Sequence, residues 1–333
     1  MSNKRKKVLI TGGCGFIGSH VVEHFRRKTD WDIVVVDKLS YASNGFERLR
    51  DSDCLHSDRV KVMPVDFTLP FSSGLRKEIG DDVNIILHMG AESHVDNSIK
   101  NPRDCFKNNI DGTVEMLEYA KTLDNLEFFF YFSTDEVFGY APDDTAYAEW
   151  DRHKPTNPYS ASKSAAESIC VAYENTYGLP LITVNSMNVF GQRQHPEKFI
   201  PKVMKNIVEG DKTFIHSYKD KKRAGSRFYI HARNVAAAVL FLFENGDIGD
   251  KYNIVGEKEV DNLTLALMIA EHMGQELNYE MVDFHSDRPG HDLRYALKDT
   301  KMAKKGWELP INFEESLKET VDWTMKNKQW LNF

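Results

Sequence analysis

The sequence predicts an α/β protein: a Rossmann-like, doubly wound parallel sheet with a smaller C-terminal α/β lobe. Three observations carry this prediction. Short, nearly continuous apolar runs alternate with helical stretches over the first 190 residues, the pattern of strands buried on both faces and covered by crossover helices. A glycine-rich turn directly follows the first run and directly precedes the first helix. After Gly191 the rhythm changes to mixed short strands and helices.

The elements follow in order. KVLITGG reads as strand one and SHVVEHFRRK, with its apolar positions on one face, as a helix. DIVVVDKLS, VKVMPVDF and VNIILHMGA read as strands two to four. NIDGTVEMLEYAKTL is a helix, LEFFFYFST strand five, NPYSASKSAAESICVAYENTY a helix and PLITVNSMNVFG strand six. PEKFIPKVMKNIVEG opens a helix after a proline, YKDKKRAGSR is a basic loop, and NVAAAVLFLFENG is an apolar helix returning to the sheet layer. YNIV, LTLALMIAEHMG and FEESLKETVDWTMKNKQWL read as a strand and two helices of the smaller lobe. This reading assigns residues 1–190 and 230–250 to the sheet domain, and 191–229 and 251–333 to the second lobe, with a ligand cleft between them.

Bulk properties exclude several classes. A net charge of −7 gives no basis for nucleic acid or a membrane surface as partner. No run reaches the roughly 18 apolar residues of a membrane span, and the basic start MSNKRKK reads as a solvated lead-in to the first strand. Cys14, Cys54, Cys105 and Cys170 lie far apart without a Cys-x-x-Cys pair, which argues against a zinc site or disulfide framework and fits a reducing, cytoplasmic compartment. His88, His94, His195 and His231 show no metal-ligand spacing, so no metal is expected.

The run TGGCGFIG carries Gly12, Gly15 and Gly18 between a strand and a helix. Such a turn lets a pyrophosphate approach the helix N-terminus, where unpaired N–H groups and the dipole favour anions. Asp37 closes strand two, about 20 residues further on, where an acid can accept from a ribose 2′-OH and repels a 2′-phosphate. NAD is therefore expected in preference to NADP.

Tyr159 and Lys163 in NPYSASK lie four residues apart near the start of a helix, on one face. A lysine ammonium beside a phenol favours the phenolate. One strand–helix unit earlier, the aromatic run Phe128 to Phe132 ends in Ser133, Thr134, Asp135 and Glu136. Two neighbouring carboxyls in a dry cleft repel, so their titrations separate and one can serve as acid while the other serves as base. The sequence does not decide which of the two is protonated.

Together, TGGCGFIG, DKLS, HMGAESHVDNS, STDEVFG, NPYSASK, PEKFIPK and DRPGHDLRYA resemble the extended short-chain dehydrogenase/reductase family. Within it, Thr134-Asp135-Glu136 after the fifth strand resembles the nucleotide-sugar 4,6-dehydratases of the dTDP-glucose/UDP-glucose type. The resemblance implies that Tyr159 takes the proton of the sugar 4-OH while C4 gives hydride to NAD. Lys163 would hold the phenolate and the nicotinamide ribose, and Thr134 would hydrogen-bond O4. Glu136 would remove the C5 proton, Asp135 would protonate the departing 6-OH, and hydride would return to C6. It further implies cofactor contacts from Phe16, Ile17, Lys38, Leu39, Ser40, Asp66, Phe67, Met89, Gly90, Ala91, Ser93, Asn108, Tyr159 and Lys163.

On the substrate side the resemblance implies Ser93, Asn188, Glu197, Lys198, Asn253 and His291, with Arg227 and Arg288 clamping the diphosphate, since a guanidinium fork matches phosphate oxygens. A homodimer is expected on the same ground. Four features depart from the family pattern: Gly90 for alanine, Asn97 for arginine, the stretch SRFYIHARN, and the longer basic loop HSYKDKKRAGS. Lys219, Lys221, Lys222 and Arg223 of that loop are open to two readings, contact with the diphosphate or a partner subunit, or a solvated charged surface. The departures leave base and hexose open between dTDP- and UDP-sugars. A 4-epimerase of the same family is the enzymatic rival, although it has no need of Asp135; a non-catalytic NAD-binding scaffold has no need of the five catalytic residues.

Overall fold

The computed structural model describes residues 5–283 and 292–332. Its main sheet is built from β1 (Lys7–Thr11), β2 (Asp32–Asp37), β3 (Val60–Pro64), β4 (Ile85–His88), β5 (Phe128–Thr134), β6 (Leu181–Ser186) and β10 (Asp250–Ile254). All pairings are parallel, in the order β3-β2-β1-β4-β5-β6-β10. The predicted doubly wound fold is thus present. Its order reverses between β1 and β4, and such a switch point opens a crevice at the C-terminal strand ends.

Strand periodicity explains the two layers. In β1, Val8 and Ile10 face one core and Leu9 the other; in β5, Phe130 and Phe132 face the first, Phe129 and Tyr131 the second. The first face is covered by α1 (Phe16–Lys28) through Val21, Val22 and Phe25, and by the Ala232–Asn245 helix through Val235, Val239 and Leu242. The second is covered by the Gly112–Ala120 helix through Met116 and Leu117, and by the Pro158–Tyr177 helix through Ala166 and Cys170.

Two expectations change. YNIV does not belong to the smaller lobe: β10 pairs with β6 at the edge of the main sheet, Tyr252 beside Val184, and its Tyr252 and Ile254 enter the first core. The second lobe therefore resumes after Ile254 rather than at residue 251. The predicted sixth strand also divides. β6 ends at Ser186, and β7 (Asn188–Phe190) leaves to pair with β9 (Ser226–His231), which also pairs with β11 (Glu259–Asp261). Met187, between the two pieces, still donates its N–H to Ile254 O at 3.3 Å. This bend carries Asn188 out of the sheet and over the crevice.

The second lobe has its own core, in which Ile200, Val203 and Met204 of the Phe199–Glu209 helix meet Leu265 and Ile269 of the Asn262–Met273 helix and Leu317 and Val321 of the Phe313–Lys326 helix. A parallel pair, β8 (Thr213–Ser217) with β12 (Tyr279–Asp283), flanks it.

Candidate active site

A cavity of about 1610 Å³ runs from the glycine turn, across the strand ends, to the second lobe. That exceeds the few hundred to about 1,000 Å³ of an ordinary ligand pocket and suits two large ligands side by side. Gly12, Gly15, Phe16, Ile17, Gly18, Asp37, Lys38, Ser40, Phe67, Met89, Gly90, Ala91, Ser93 and Asn108 all line it. So do Thr134, Asp135, Glu136, Tyr159, Lys163, Asn188, Glu197, Lys198 and Arg227.

The glycine end fits a dinucleotide. Gly15 caps α1 without a side-chain hydrogen bond, so the helix N-terminus is presented bare to the cavity. Asp37 is buried, with its two oxygens accepting from Cys14 N at 2.9 Å and Leu39 N at 2.8 Å. Burial raises the Asp37 carboxyl above its usual range, and those N–H groups oppose the rise. Lys38 donates to Asn108 Oδ1 and pairs with Glu92 at 3.3 Å. Leu39 and Asp66 do not line the cavity: Leu39 packs against the first core, and Asp66 Oδ1 accepts from Thr68.

Gly90 is explained by its surroundings. A Cβ there would meet the Phe67 ring at 2.5 and 2.6 Å, while Gly12, at φ 71°, lies against the Gly90 backbone. Phe67 is 2% exposed and has no room to withdraw. Gly90→Ala is therefore expected to destabilise the fold by about 1–3 kcal/mol through overpacking. A lowered denaturant midpoint, recovered in part when Phe67→Leu is added, checks this.

The acids sit where β5 gives way to a short 3₁₀ turn, Asp135–Phe138, capped by Thr134, whose Oγ1 accepts from Glu136 N at 3.3 Å. Asp135 is 3% exposed; its Oδ1 accepts from Thr134 Oγ1 at 3.0 Å, and its Oδ2 has no partner among the described residues. Burial first, and the charge of Glu136 second, push the Asp135 carboxyl up to about 7, with Arg227 opposing. Glu136 is half-buried; its Oε2 accepts from Asn157 Nδ2 at 3.3 Å and from Tyr295 Oη at 3.4 Å. Burial raises Glu136 as well, but Asn157, Arg227 and Lys198 all pull it back toward the ionised form. Two adjacent carboxyls thus have unlike surroundings.

Tyr159 opens the long helix, held by the Asn157 N-cap, a capping box with Ser160 and Pro158 in the first turn. Burial and then Glu136 raise its phenol above the ordinary value, with Thr134 opposing the rise. Lys163 Nζ donates to Phe132 O at 2.6 Å and lies 4.3 Å from the centre of the Tyr131 ring. Burial pushes the Lys163 ammonium down to about 8, with Glu167 opposing. The expected lowering of the phenol by Lys163 is not seen: burial, Glu136 and Asp135 hold it up, and Thr134 is the group that opposes them.

Two residues at the acids were not singled out from the sequence. Asn157 carried a signal, since an asparagine before proline and a helix is an N-cap whose amide has a donor to spare. Tyr295 lies within the run DRPGHDLRYA, but nothing in that run pairs it with Glu136; only the return of the chain from the second lobe brings the two together.

On the second lobe, Arg227 donates to Ser226 O at 2.7 Å, to Leu293 O at 2.6 Å and to Asp292 O, and lies 4.5 Å over the Tyr295 ring. Its charge faces both the cavity and the acids. Lys198 donates to Ser93 O at 3.3 Å, and Glu197 lies 3.8 Å from His94 and 3.7 Å from His195. Asn97, the expected arginine position, donates to Tyr41 Oη at 2.8 Å. Asn253 is a correction: it is fully buried on β10, and its Nδ2 donates to Tyr147 O and Lys298 O at 3.2 and 3.1 Å, so it ties chain segments together away from the cavity. Arg288 and His291 lie outside the described residues. In the basic loop, Lys219, Lys221 and Lys222 are exposed and off the cavity, and Arg223 makes a two-pronged pair with Asp143 at 2.9 and 3.2 Å.

Among the described residues no three His, Cys, Asp or Glu side chains are grouped to hold a metal, and no helix is long and apolar enough to cross a membrane. The four cysteines are buried and free.

Residues 9–320 match the family described as GDP-mannose 4,6 dehydratase. The chain is 35% identical to the dTDP-glucose 4,6-dehydratase of Salmonella typhimurium, over 98% of this chain and 94% of that one. It is 38% identical to a trifunctional Arabidopsis thaliana protein named for UDP-glucose 4,6-dehydratase, 3,5-epimerase and reductase activities, over 98% of this chain; it spans 48%, about half, of that protein's length. The crystal structure of the Streptomyces venezuelae dTDP-glucose 4,6-dehydratase with NAD bound superposes with a TM-score of 0.88 at 30% identity, covering 98% of this chain and 99% of the other.

Proposed function

The chain belongs to the GDP-mannose 4,6 dehydratase family of short-chain-dehydrogenase-type nucleotide-sugar dehydratases, and from that premise we propose that it converts dTDP-glucose or UDP-glucose to the 4-keto-6-deoxy sugar with NAD as recycled cofactor. The observation that carries this reading is the pair of adjacent, differently held carboxyls, Asp135 and Glu136, lining one cavity with Thr134 and Tyr159. An oxidation at C4 alone has no use for both.

NAD, when bound, supplies a hydride acceptor for C4 and later returns that hydride to C6. Its site is the bare N-terminus of α1, Asp37 and the Gly12–Gly90 cradle. Lys163 gives this end of the cleft a positive charge that favours a Tyr159 phenolate, and as the phenolate Tyr159, which lines the cavity with Thr134, accepts the 4-OH proton. Oxidation at C4 makes the C5 proton acidic. Glu136, with Asn157 and Tyr295 fixing its outer oxygen, is the base for that proton. Asp135, with one oxygen turned to Thr134 and the other free of described partners, is the acid that sees the 6-OH out as water. Arg227, Lys198, Glu197, Asn188 and Ser93 form the nucleotide-sugar side, with Arg227 the diphosphate clamp.

Incubation of the NAD-loaded protein with dTDP- and UDP-glucose, without added reductant, is expected to yield a product lighter by one water. A product of unchanged mass favours 4-epimerisation, and no product from either sugar favours a scaffold. The same reading carries a homodimeric cytoplasmic enzyme, which light scattering and cell fractionation check.

A further inference from the structure

Behind the acids, one carboxylate joins the Tyr159 helix to three strands of the main sheet. Glu167 lies one turn beyond Lys163 and is 4% exposed. Its Oε1 accepts from Ser133 Oγ on β5 and from Asn185 Nδ2 on β6 at 2.9 Å. Its Oε2 accepts from Lys251 Nζ on β10 at 2.6 Å, with His153 Nε2 3.4 Å away. Lys251 is itself 1% exposed. The same Asn185 amide holds Thr134 O at 3.0 Å. Ser133 stands between Phe132, whose carbonyl takes the Lys163 ammonium, and Thr134, whose hydroxyl donates to Asp135.

Glu167, Asn185, Lys251 and His153 do not line the cavity, so none touches a reactant there. A buried ion pair is costly to desolvate, and a well-packed apolar pair often serves stability as well or better. Two of the Glu167 bonds reach the end of β5: Ser133 adjoins both Phe132 and Thr134, and Asn185 also holds Thr134 O. We propose that Glu167 is a positioning residue for C4 oxidation, locking the end of β5 to the Tyr159 helix and sustaining the Lys163 ammonium, with Ser133 and Lys251 as its anchors. This rests on the hydride-transfer reading above.

The groups facing Lys163 come from several elements: the Tyr131 ring and the Phe132 carbonyl from β5, Glu167 and Cys170 from its own helix, Cys105 from the Pro102–Phe106 helix, and His88 from β4. Glu167 is the leading charge among them. Taking it away lowers the value at which Lys163 loses its proton, so the ammonium disappears at lower pH.

E167Q alone would leave Lys251 buried without a counter-charge, and K251M alone would do the same to Glu167, so the informative protein is E167Q/K251M, compared with wild type in NAD-loaded enzyme. Two quantities are read: the Lys163 titration, by the ε-carbon NMR shift of labelled lysine assigned with a Lys163 variant, and the pH profile of C4 oxidation, by absorbance of the reduced nicotinamide. The double variant is expected to lower the Lys163 midpoint and the alkaline limb together by about half a pH unit or more. Turnover should fall about tenfold with KM within about twofold. E167D, with the charge on a shorter arm, should hold the midpoint and restore most of the turnover. A folded double variant that titrates like wild type, a turnover loss with an unmoved alkaline limb, or E167D titrating like the double variant overturns the proposal. If the wild type oxidises no sugar, the reaction reading falls, while the NMR midpoint still decides for or against Glu167.

Discussion

Asp135→Asn is expected to slow release of water about 10²- to 10⁴-fold, the usual worth of a positioned general acid, while oxidation at C4 continues. Asparagine keeps the shape and can still meet Thr134, but it has no proton to give the departing 6-OH. The measurement is the yield of dehydrated product by mass, set against the absorbance of reduced nicotinamide in the same reaction. Equal loss of both would remove Asp135 from the acid role. The pH dependence follows from the same group. Burial and Glu136 put its carboxyl at about 7, so the acid form is plentiful below that pH, and elimination should fall about tenfold for each pH unit above it. The sign for stability is the same. A folded value raised above the unfolded one favours the folded state fully below the unfolded value of 3.8 and is lost as pH rises through about 7. Asp135→Asn should therefore unfold at a higher temperature than wild type near pH 8.

Tyr159→Phe has the second large expected effect, a loss of about 10²- to 10⁴-fold in C4 oxidation, seen as failure to form reduced nicotinamide on mixing with nucleotide sugar. Only the hydroxyl is removed. The ring remains in its small cluster with Val95 and Cys105, and NAD binding, measured by fluorescence quenching, should weaken by no more than about tenfold, the worth of one hydrogen bond. A variant that retained more than about a tenth of the oxidation rate would point to another base. The contrast with Asp135→Asn is the useful part: one change stops the first step, the other the second.

Much of this was legible in the chain. The doubly wound sheet follows from apolar runs such as Phe128 to Phe132, because a strand buried on both faces has no polar side to show. The glycine turn, Asp37, Tyr159, Lys163 and the acids also lie in short contiguous motifs, and the fold brings them to one cavity. Asn253 misled because the motif around it says nothing of depth; on β10, beside β6, its amide is used up by backbone carbonyls. β10 itself looked like part of the second lobe because a five-residue strand carries no mark of the sheet it joins.

What the sequence by itself determined is whatever depends on neighbours along the chain: strand and helix period, the turn that bares a helix N-terminus, and two acids at the end of a buried strand. What only the tertiary structure decided is whatever depends on neighbours across it. Glu136 is held by Asn157 and Tyr295, Gly90 makes room for Phe67, and Glu167 gathers Ser133, Asn185 and Lys251 behind the site. The physical reason is that the protonation and aim of a buried polar group are set by which partners reach it, and those partners come from distant strands that only the packed sheet brings together.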